Sequence, residues 1–234
     1  MQEIFTAFGE AGRLIAGAEP RLVGIVLLSL RVSLTAVFFA SLIGLPLGAA
    51  IAIGRFPGRR ALIVALNALM GLPPVVVGLL VYLMLSRAGP LGHFGILFTP
   101  AAMVVAQTIL IVPIIAALSR QVIEDAWQEY REQLRSLGAT AFSAARTLLW
   151  DTRFSLVIIV LAGFGRAAAE VGAVMIVGGN IEGVTRVMTT AIALETSMGD
   201  LPLALGLGII LITLVLILNA GAYWIKEAAQ RRYG

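Results

Sequence analysis

Long apolar runs recur along this chain and constrain its fold more than any other feature. Five runs of 21 to 26 residues lie at 32–54, 61–86, 99–119, 154–178 and 202–225. An apolar helix needs about 20 residues to cross the hydrocarbon of a bilayer, at about 1.5 Å per residue. Lipid offers no hydrogen-bond partner to the backbone, so each run must pair its own N–H and C=O groups as a helix. The runs predict an all-α polytopic membrane protein with five transmembrane helices.

The composition supports this fold, because 59% of the 234 residues are hydrophobic and only 13% are charged. Soluble domains average about 45–50% apolar and about 25% charged residues. A chain of this length cannot bury all of its apolar runs in one soluble core. The formal charge of +4 does not indicate a nucleic-acid partner, since the basic residues cluster in the loops between runs, as topology signals do.

The rare residue types exclude several kinds of active site. The chain has no cysteine and one histidine, His93. This excludes a disulfide framework, cysteine- or histidine-based metal sites and a histidine-containing triad. The one lysine, Lys226, precedes Glu227, so the phosphate-binding motif G-x-x-x-x-G-K-[ST] is missing. We expect no catalytic residue, metal site or cofactor in this chain, and any ATP chemistry must belong to another chain.

The basic residues also predict the orientation of the chain. The side of the bilayer that has more arginine and lysine residues is expected to be cytoplasmic. This places the N-terminus outside and both the C-terminus and residues 120–153 inside. Residues 1–31 then form an N-terminal interfacial segment, 32–226 the transmembrane domain and 227–234 a cytoplasmic tail. The basic residues on the richer side are Arg55, Arg59, Arg60, Arg120, Arg131, Arg135, Arg146, Arg153, Lys226, Arg231 and Arg232.

The N-terminal segment has an amphipathic pattern. Residues 4–15 place Ile4, Phe5, Phe8, Ala11 and Ile15 on one helical face. This pattern is typical of a short helix in the membrane interface. An ordinary, poorly ordered terminus is the alternative.

Prolines interrupt three of the predicted spans. Pro46 lies in the first, Pro73 and Pro74 in the second, and Pro113 in the third. Each proline removes a helical hydrogen bond and bends the axis. Such bends suit a helical bundle that must move, and they also occur in static ones.

The most polar part of the chain is residues 120–153. Leu134, Leu137, Ala141, Ala145 and Leu148 recur there at spacings of three and four residues, which predicts an amphipathic helical segment with an apolar stripe on its surface. We expect Gly138 to end one helix and Thr140 to cap a second one that runs towards Trp150. An exposed apolar stripe normally has a partner, although a helix lying on the bilayer surface is an alternative.

One motif in this segment resembles a known family. Residues 132–138, EQLRSLG, are similar to the cytoplasmic E-A-A-x-x-x-G loop of permease subunits of ABC importers. Gln133 and Leu134 replace the two alanines, and residues 148–151, LLWD, depart from the I-x-L-P that ends the family pattern. The resemblance implies that this loop is a coupling helix that docks in a groove on a separate ATPase subunit. It assigns the coupling residues, which are Glu132, Arg135, Leu137, Gly138, Ala139 and Thr140.

Further segments resemble permeases of oxyanion importers. Residues 72–92 are similar to the second span and outer loop of the molybdate and tungstate types, and residues 98–107 and 169–196 are closer to the tungstate type. The resemblance implies import of an oxyanion across a prokaryotic inner membrane by alternating access. The greater similarity to the tungstate type implies that this oxyanion is tungstate. Molybdate or sulfate import is the alternative within the family.

The ionisable residues in the spans are candidates for the translocation path. Arg166 and Glu170 lie four residues apart, on one face of the fourth predicted helix. Ionised groups within a membrane mark function by default, and a structural ion pair between packed helices is the alternative. Thr189 and Thr190 offer hydroxyl groups to an oxyanion. The loop at 178–186, GGNIEGVTR, is a candidate docking or gate element, or else an ordinary external loop with tight turns.

The resemblance also implies the partners of this chain. They are a second copy in a homodimer, two ATPase subunits that bind ATP and Mg²⁺, an extracytoplasmic solute-binding protein, the oxyanion and the lipid bilayer. One chain with one coupling loop suits a symmetric pair of ATPases. Outside this class, an ion-gradient-driven carrier or a channel would need no soluble motor. An intramembrane enzyme is a further alternative, but these spans contain few residues that could act as an acid, a base or a nucleophile.

Overall fold

The computed structural model describes residues 2–233, and its side chains for residues 6–225 and 227. The predicted face residues Ile4 and Phe5 and the basic residues Lys226, Arg231 and Arg232 therefore have side chains outside the described residues. The helices are α1 Gln2–Ala16, α2 Pro20–Ile53, α3 Arg59–Leu69, α4 Pro74–Leu85, α5 Pro100–Ser136, α6 Ala141–Asp151, α7 Arg153–Ala168, α8 Gly172–Gly178, α9 Met188–Met198 and α10 Leu201–Tyr233. A single 3₁₀ turn, Gly92–Phe94, precedes α5.

The described part of the chain is all-helical, as predicted, and its helices include three that are long and apolar enough to cross a membrane by themselves. These are Pro20–Ile53, Pro100–Ser136 and Leu201–Ile225. The number rises to five if α3 with α4, and α6 with α7, are each counted as one bent span. The prediction of membrane-spanning helices is confirmed at this coarser level of three to five spans.

Two of the helices extend beyond the apolar runs that they contain. The helix that contains the first predicted run, α2, begins at Pro20, since the apolar pattern upstream of residue 32 continues through Arg31 with that side chain exposed. The boundary expected between residues 31 and 32 therefore falls inside α2. The third predicted run ends at 119, but α5 continues to Ser136 because strongly polar residues extend a helix beyond an apolar stretch without breaking it.

Two of the predicted spans are broken helices. The run at 61–86 is interrupted between Leu69 and Pro74, where Pro73 and Pro74 cannot donate backbone hydrogen bonds. The run at 154–178 is divided into α7 and α8 around Glu170. Pro46 and Pro113, in contrast, lie inside continuous helices, so they do not divide their spans, and the bend expected at each stays a prediction.

The chain packs as two compact units. Unit 1 comprises Met1–Ala36, Pro73–Gln107 and Gly165–Ile217, and unit 2 comprises Val37–Leu72, Thr108–Phe164 and Leu218–Gly234. Within unit 1, buried apolar residues of α2, α9 and α10 form a core, among them Leu22, Met188 and Leu207. The α1 helix joins this core through Leu14 and Ile15, and its Ala11 is fully buried. The N-terminal segment is thus helical, as predicted, with part of its apolar face packed on protein.

Glycines allow the helices of each unit to approach closely. In unit 1, α4 packs on α8, and a Cβ atom at Gly78 would lie 2.8 Å from the Cα of Ala173. In unit 2, a Cβ atom at Gly48 would lie 2.8 Å from the carbonyl oxygen of Ala116. The core of unit 2 lies beside this contact and joins α2, α3 and α5 through Ile51, Leu66, Ala116 and Ala117.

Candidate functional site

The predicted coupling segment ends α5 with a tight turn at Gly138. Gly138 has φ 72°, in the left-handed region, which glycine adopts without the steric cost of a Cβ atom. Its N–H donates to the carbonyl of Arg135 at 2.9 Å, and the N–H of Ala139 donates to that of Leu134 at 2.9 Å. These two bonds define a Schellman motif, which closes a helix by using its last carbonyl groups. The prediction that Gly138 ends a helix is confirmed.

The second helix of the segment begins where the sequence predicts. Thr140 is the N-cap of α6, and its Oγ1 accepts a hydrogen bond from the N–H of Ser143 at 3.2 Å. Such a cap satisfies one of the first four N–H groups of a helix, which have no intrahelical partner. The segment is therefore a helix, a turn and a helix, as expected. We refer to residues 132–140 as the coupling turn.

The exposed apolar surface around this turn differs from the predicted stripe. Leu137 and Phe142 are both 82% exposed and Trp150 is 71% exposed, whereas Leu148 is 1% exposed. Leu134 and Ala145 are half-buried. The predicted stripe is confirmed at Leu137 and wrong at Leu148, because the turn at Gly138 reorients α6, so a spacing of three or four residues does not continue across it. Sequence reasoning missed Phe142 and Trp150 as surface residues, although large aromatic residues in a polar segment were a usable signal.

The charged residues of the coupling turn lie on the surface. Glu132 and Arg135 are exposed near the end of α5, and the Arg135 guanidinium lies 5.9 Å from the ring centroid of Trp127. Just before the turn, the carboxylate of Glu129 raises the pKa of the Tyr130 hydroxyl above its ordinary value of 10.0. Tyr130 is therefore uncharged at physiological pH. The turn thus presents a mixed apolar and charged surface that suits a protein partner.

An open cleft lies beside α6 in unit 2. Its volume is about 1230 Å³, and it lies between the last two turns of α2, with the following Gly54, and one face of α6. Phe142, Arg146 and Trp150 are among its lining residues. The largest exposed aromatic groups near the coupling turn therefore border the cleft.

The Arg166–Glu170 pair forms as predicted. The guanidinium of Arg166 donates to Glu170 Oε2 at 2.6 Å. The other carboxylate oxygen of Glu170 accepts the N–H of Ala173 at 3.1 Å. Glu170 is 4% exposed and sits in the gap between α7 and α8. A buried carboxylate needs such partners, because an unpaired charge in a medium of low polarity is costly. The side chain of Arg166 is 38% exposed, so it can still meet an anion.

The two threonines occupy different positions at this site. The Thr189 hydroxyl donates to the backbone carbonyl of Glu170 at 2.7 Å. The Thr190 hydroxyl donates to the carbonyl of Val187 at 3.1 Å and accepts its N–H at 3.1 Å, at the start of α9. The structure therefore brings Arg166, Glu170 and Thr189 together at one helix break. Thr190 satisfies backbone groups at the start of α9. The hydroxyl groups of Thr189 and Thr190 both donate to backbone carbonyls.

The loop at 178–186 is a tightly bonded turn. Gly179, Asn180 and Gly183 have positive φ angles, which confirms the expected tight turns. The Thr185 hydroxyl donates to the carbonyl of Gly178 at 2.6 Å and accepts the N–H of Ile181 at 2.9 Å. This loop is held by its own hydrogen bonds as well as by the ion pairs described next.

Sequence reasoning missed a buried acid in unit 1. The side chain of Glu195 is 3% exposed, and it meets Arg21 at 2.8 Å and Arg186 at 3.5 Å. Arg21 also contacts the exposed carboxylate of Glu182 at 2.9 Å. Sequence reasoning assigned no acid partner to either arginine, whereas the structure pairs both with acids. The one indication in the sequence was that Glu195 is an isolated acid in the apolar stretch "AIALET".

A second group of charges was also missed, in unit 2. Arg59 pairs with Glu124 at 2.7 Å, and Glu124 also pairs with Arg120. Arg59 and Arg120 had served only as topology signals. For metal binding, the searched residues contain no group of three or more histidine, cysteine, aspartate or glutamate side chains placed to hold an ion.

Several curated permease proteins are similar to this chain. The tungstate uptake system permease protein TupB of Peptoclostridium acidaminophilum is 39% identical over 227 residues, 97% of this chain and 100% of that protein. A probable anion ABC transporter permease protein of Haloferax volcanii is 41% identical over 218 residues, 91% of this chain and 94% of that one. The molybdenum transport system permease protein ModB of Escherichia coli is 30% identical over 219 residues, 89% and 95% of the two chains. No protein-family model matches the chain.

These similarities extend over almost the whole chain, and they agree with its long apolar helices and with the resemblance at residues 132–138. The described helices include three to five candidate spans, as a multi-pass protein of the prokaryotic inner membrane requires. The chain is a transport subunit, and it belongs to the family of membrane permeases of ABC-type oxyanion importers.

Proposed function

We propose that this chain is the permease of a tungstate importer that an ATPase drives through the coupling turn. The single observation that carries the proposal is the similarity along the full length of a tungstate permease, at 39% identity. Molybdate is the second candidate, since a molybdenum permease covers nearly the same residues at 30% identity. Sulfate, another tetrahedral dianion, is a competitor that the experiment must include.

The coupling turn supports docking of a separate ATPase. Gly138 and Thr140 fix the shape of the turn, and Leu137 and Phe142 expose apolar surface beside the charged side chains of Glu132 and Arg135. An exposed apolar patch with a polar rim is typical of a protein interface. In this proposal Ala139 continues the turn, and the partner binds ATP and Mg²⁺.

The topology of the proposal has five spans in each chain. The N-terminus is outside, and the C-terminus and the coupling turn are cytoplasmic, as the excess of basic residues favours. Two copies form a homodimer, two ATPases bind the two coupling turns, and a solute-binding protein delivers the oxyanion from outside. This arrangement follows from symmetry, because each copy supplies one docking turn.

The helix break at Glu170 is the proposed polar part of the translocation path. Arg166 is half-exposed while its partner Glu170 is buried, so the arginine retains donors for a passing dianion. Thr189 positions the break through the Glu170 carbonyl, and Thr190 positions the start of α9. Alternating access would expose this break to one side at a time, which limits leakage of other ions.

Uptake into vesicles tests the proposal. Proteoliposomes that contain the permease, its neighbouring ATPase and its binding protein should take up tungstate only when ATP is supplied. Excess unlabelled tungstate should compete more strongly than molybdate or sulfate. Stronger competition by molybdate would reassign the substrate within the family. Uptake by the permease alone under an ion gradient would contradict the ATP-driven mechanism.

A further inference from the structure

Arg59 holds the end of α2 by hydrogen bonds to its backbone. This residue is the first of α3. Its Nε donates to the carbonyl of Ile51 at 2.7 Å, and its Nη2 donates to the carbonyl of Ala52 at 3.3 Å. These carbonyls lie in the last turn of α2, where carbonyl groups have no intrahelical partner. A cation at this end also interacts favourably with the helix dipole.

The same guanidinium reaches a third helix. Its Nη2 atom donates to Glu124 Oε1 on α5 at 2.7 Å. The other carboxylate oxygen of Glu124 pairs with Arg120, one turn earlier on the same helix. The side chains of Arg59, Arg120 and Glu124 are 24%, 15% and 22% exposed. This shielding makes the interaction stronger than that of a pair in open water.

Apolar packing surrounds this polar junction. Ile51 of α2, Leu66 of α3 and Ala116 of α5 share one buried cluster. At Gly48, the backbone of α2 comes so close to α5 that an added Cβ atom would lie 2.9 Å from the N atom of Arg120. The three helices therefore form one packed block, in which the guanidinium of Arg59, a residue of α3, is bonded to α2 and α5.

The α5 helix connects this block to the coupling turn. It runs without interruption to Ser136, twelve residues beyond Glu124. Twelve helical residues span about 18 Å. A force applied at the coupling turn thus reaches Glu124 through one continuous helix, and from there it reaches α2 through Arg59.

We propose that Arg59 transmits movement of the coupling turn to α2, and so links ATP hydrolysis to transport. The inference rests on the proposed docking of an ATPase at the coupling turn. Arg59 touches neither that docking surface nor the helix break at Glu170, and it acts as a positioning residue. It is one of the basic residues that indicate membrane orientation, but only the structure relates it to three helices.

The experiment measures tungstate or molybdate taken up per ATP hydrolysed, in proteoliposomes with the complete transporter. Arg59→Ala should leave the complex assembled and still hydrolysing ATP, while uptake per ATP falls by about tenfold, as expected when a residue of a coupling network is removed. A merely structural defect would lower uptake and hydrolysis together and leave their ratio unchanged. Arg60→Ala is the matched control, because Arg60 is the exposed neighbour, and its ratio should equal that of the unmodified protein.

Two further variants keep the proposal open to refutation if Arg59→Ala does not assemble. Arg59→Lys keeps the charge but loses the guanidinium fork, and Glu124→Gln keeps the α2 contacts but weakens the link to α5. Both should assemble and give a reduced ratio. An unchanged ratio in Arg59→Ala, or in both milder variants, would overturn the role of Arg59.

Failure of the docking proposal has a different signature. Gly138→Val alters the coupling turn through backbone strain and should weaken binding of the ATPase to the permease. If Gly138→Val binds the ATPase normally, the docking proposal fails. If Gly138→Val loses the ATPase while Arg59→Ala transports with a normal ratio, only the inference about Arg59 fails.

Discussion

Arg166 and Glu170 meet at 2.6 Å in the gap between α7 and α8. The side chain of Glu170 is buried, whereas that of Arg166 is 38% exposed. This asymmetry gives the two residues different tasks. Glu170 is bonded to the N–H of Ala173 and is part of the helix break, while Arg166 is the member of the pair to which the proposed function assigns contact with the substrate.

Arg166→Gln should impair oxyanion uptake while the complex remains assembled. The glutamine amide can still donate to Glu170, so the buried carboxylate keeps a hydrogen-bond partner, but the positive charge that would meet a dianion is gone. Uptake and assembly can be measured on the same reconstituted sample. Arg31→Gln, at an exposed arginine of α2, is the control and should transport normally. Normal uptake by Arg166→Gln would leave the pair with a structural role.

Gly138→Val should weaken binding of the ATPase. Valine at φ 72° is strained by about 1–3 kcal/mol, so the turn is expected to rearrange. Gly138→Asn is the matched control, because asparagine tolerates the left-handed region better than other residues with a Cβ atom. Co-purification of the permease and ATPase should fall for valine and be largely retained for asparagine. Equal co-purification of both variants would contradict a role for the shape of this turn.

Thr140→Ala should destabilise α6 by about 1 kcal/mol, since it removes an N-cap. The bond that is lost is the one from the Ser143 N–H, at 3.2 Å. Thr140→Ser retains the hydroxyl and should behave as the unmodified protein. Thermal unfolding in detergent compares the three proteins, and equal unfolding temperatures for alanine and serine would argue against the cap.

Phe142 and Leu148 should give opposite results when each is replaced by alanine. Phe142 is 82% exposed and Leu148 is 1% exposed. Leu148→Ala should lower the free energy of unfolding by about 2–5 kcal/mol, through a buried cavity. Phe142→Ala should change stability little but reduce affinity for the ATPase, measured by titration of one purified subunit with the other. Unchanged affinity for Phe142→Ala would remove this ring from the docking surface.

Glu195→Ala should lower the free energy of unfolding by about 3 kcal/mol, because it leaves two arginines without a buried partner. Glu182→Ala removes an acid whose side chain is 60% exposed, and should cost only about 0–1 kcal/mol. Chemical denaturation of both variants in the same detergent gives the comparison. Equal costs would show that burial of Glu195 contributes little to stability.

Local patterns in the sequence were sufficient for the elements that depend on near neighbours. Length and apolarity determine that the chain is helical and membrane-spanning, because lipid cannot satisfy an open backbone. Gly138 and Thr140 act on groups within five residues of themselves, and Arg166 meets Glu170 one turn away. Each of these features was predictable, since helix geometry alone brings the groups together.

Contacts between distant residues were decided only by the tertiary structure. Arg59 and Glu124 are 65 positions apart, and Arg21 and Glu195 are 174 apart. No periodic pattern in the chain relates such residues, so the sequence indicated charges near a membrane surface without indicating which of them pair. The same holds for Leu148, whose burial depends on how the turn at Gly138 directs α6. Burial and ion pairing depend on which helices pack together, and that packing is a property of the folded chain as a whole.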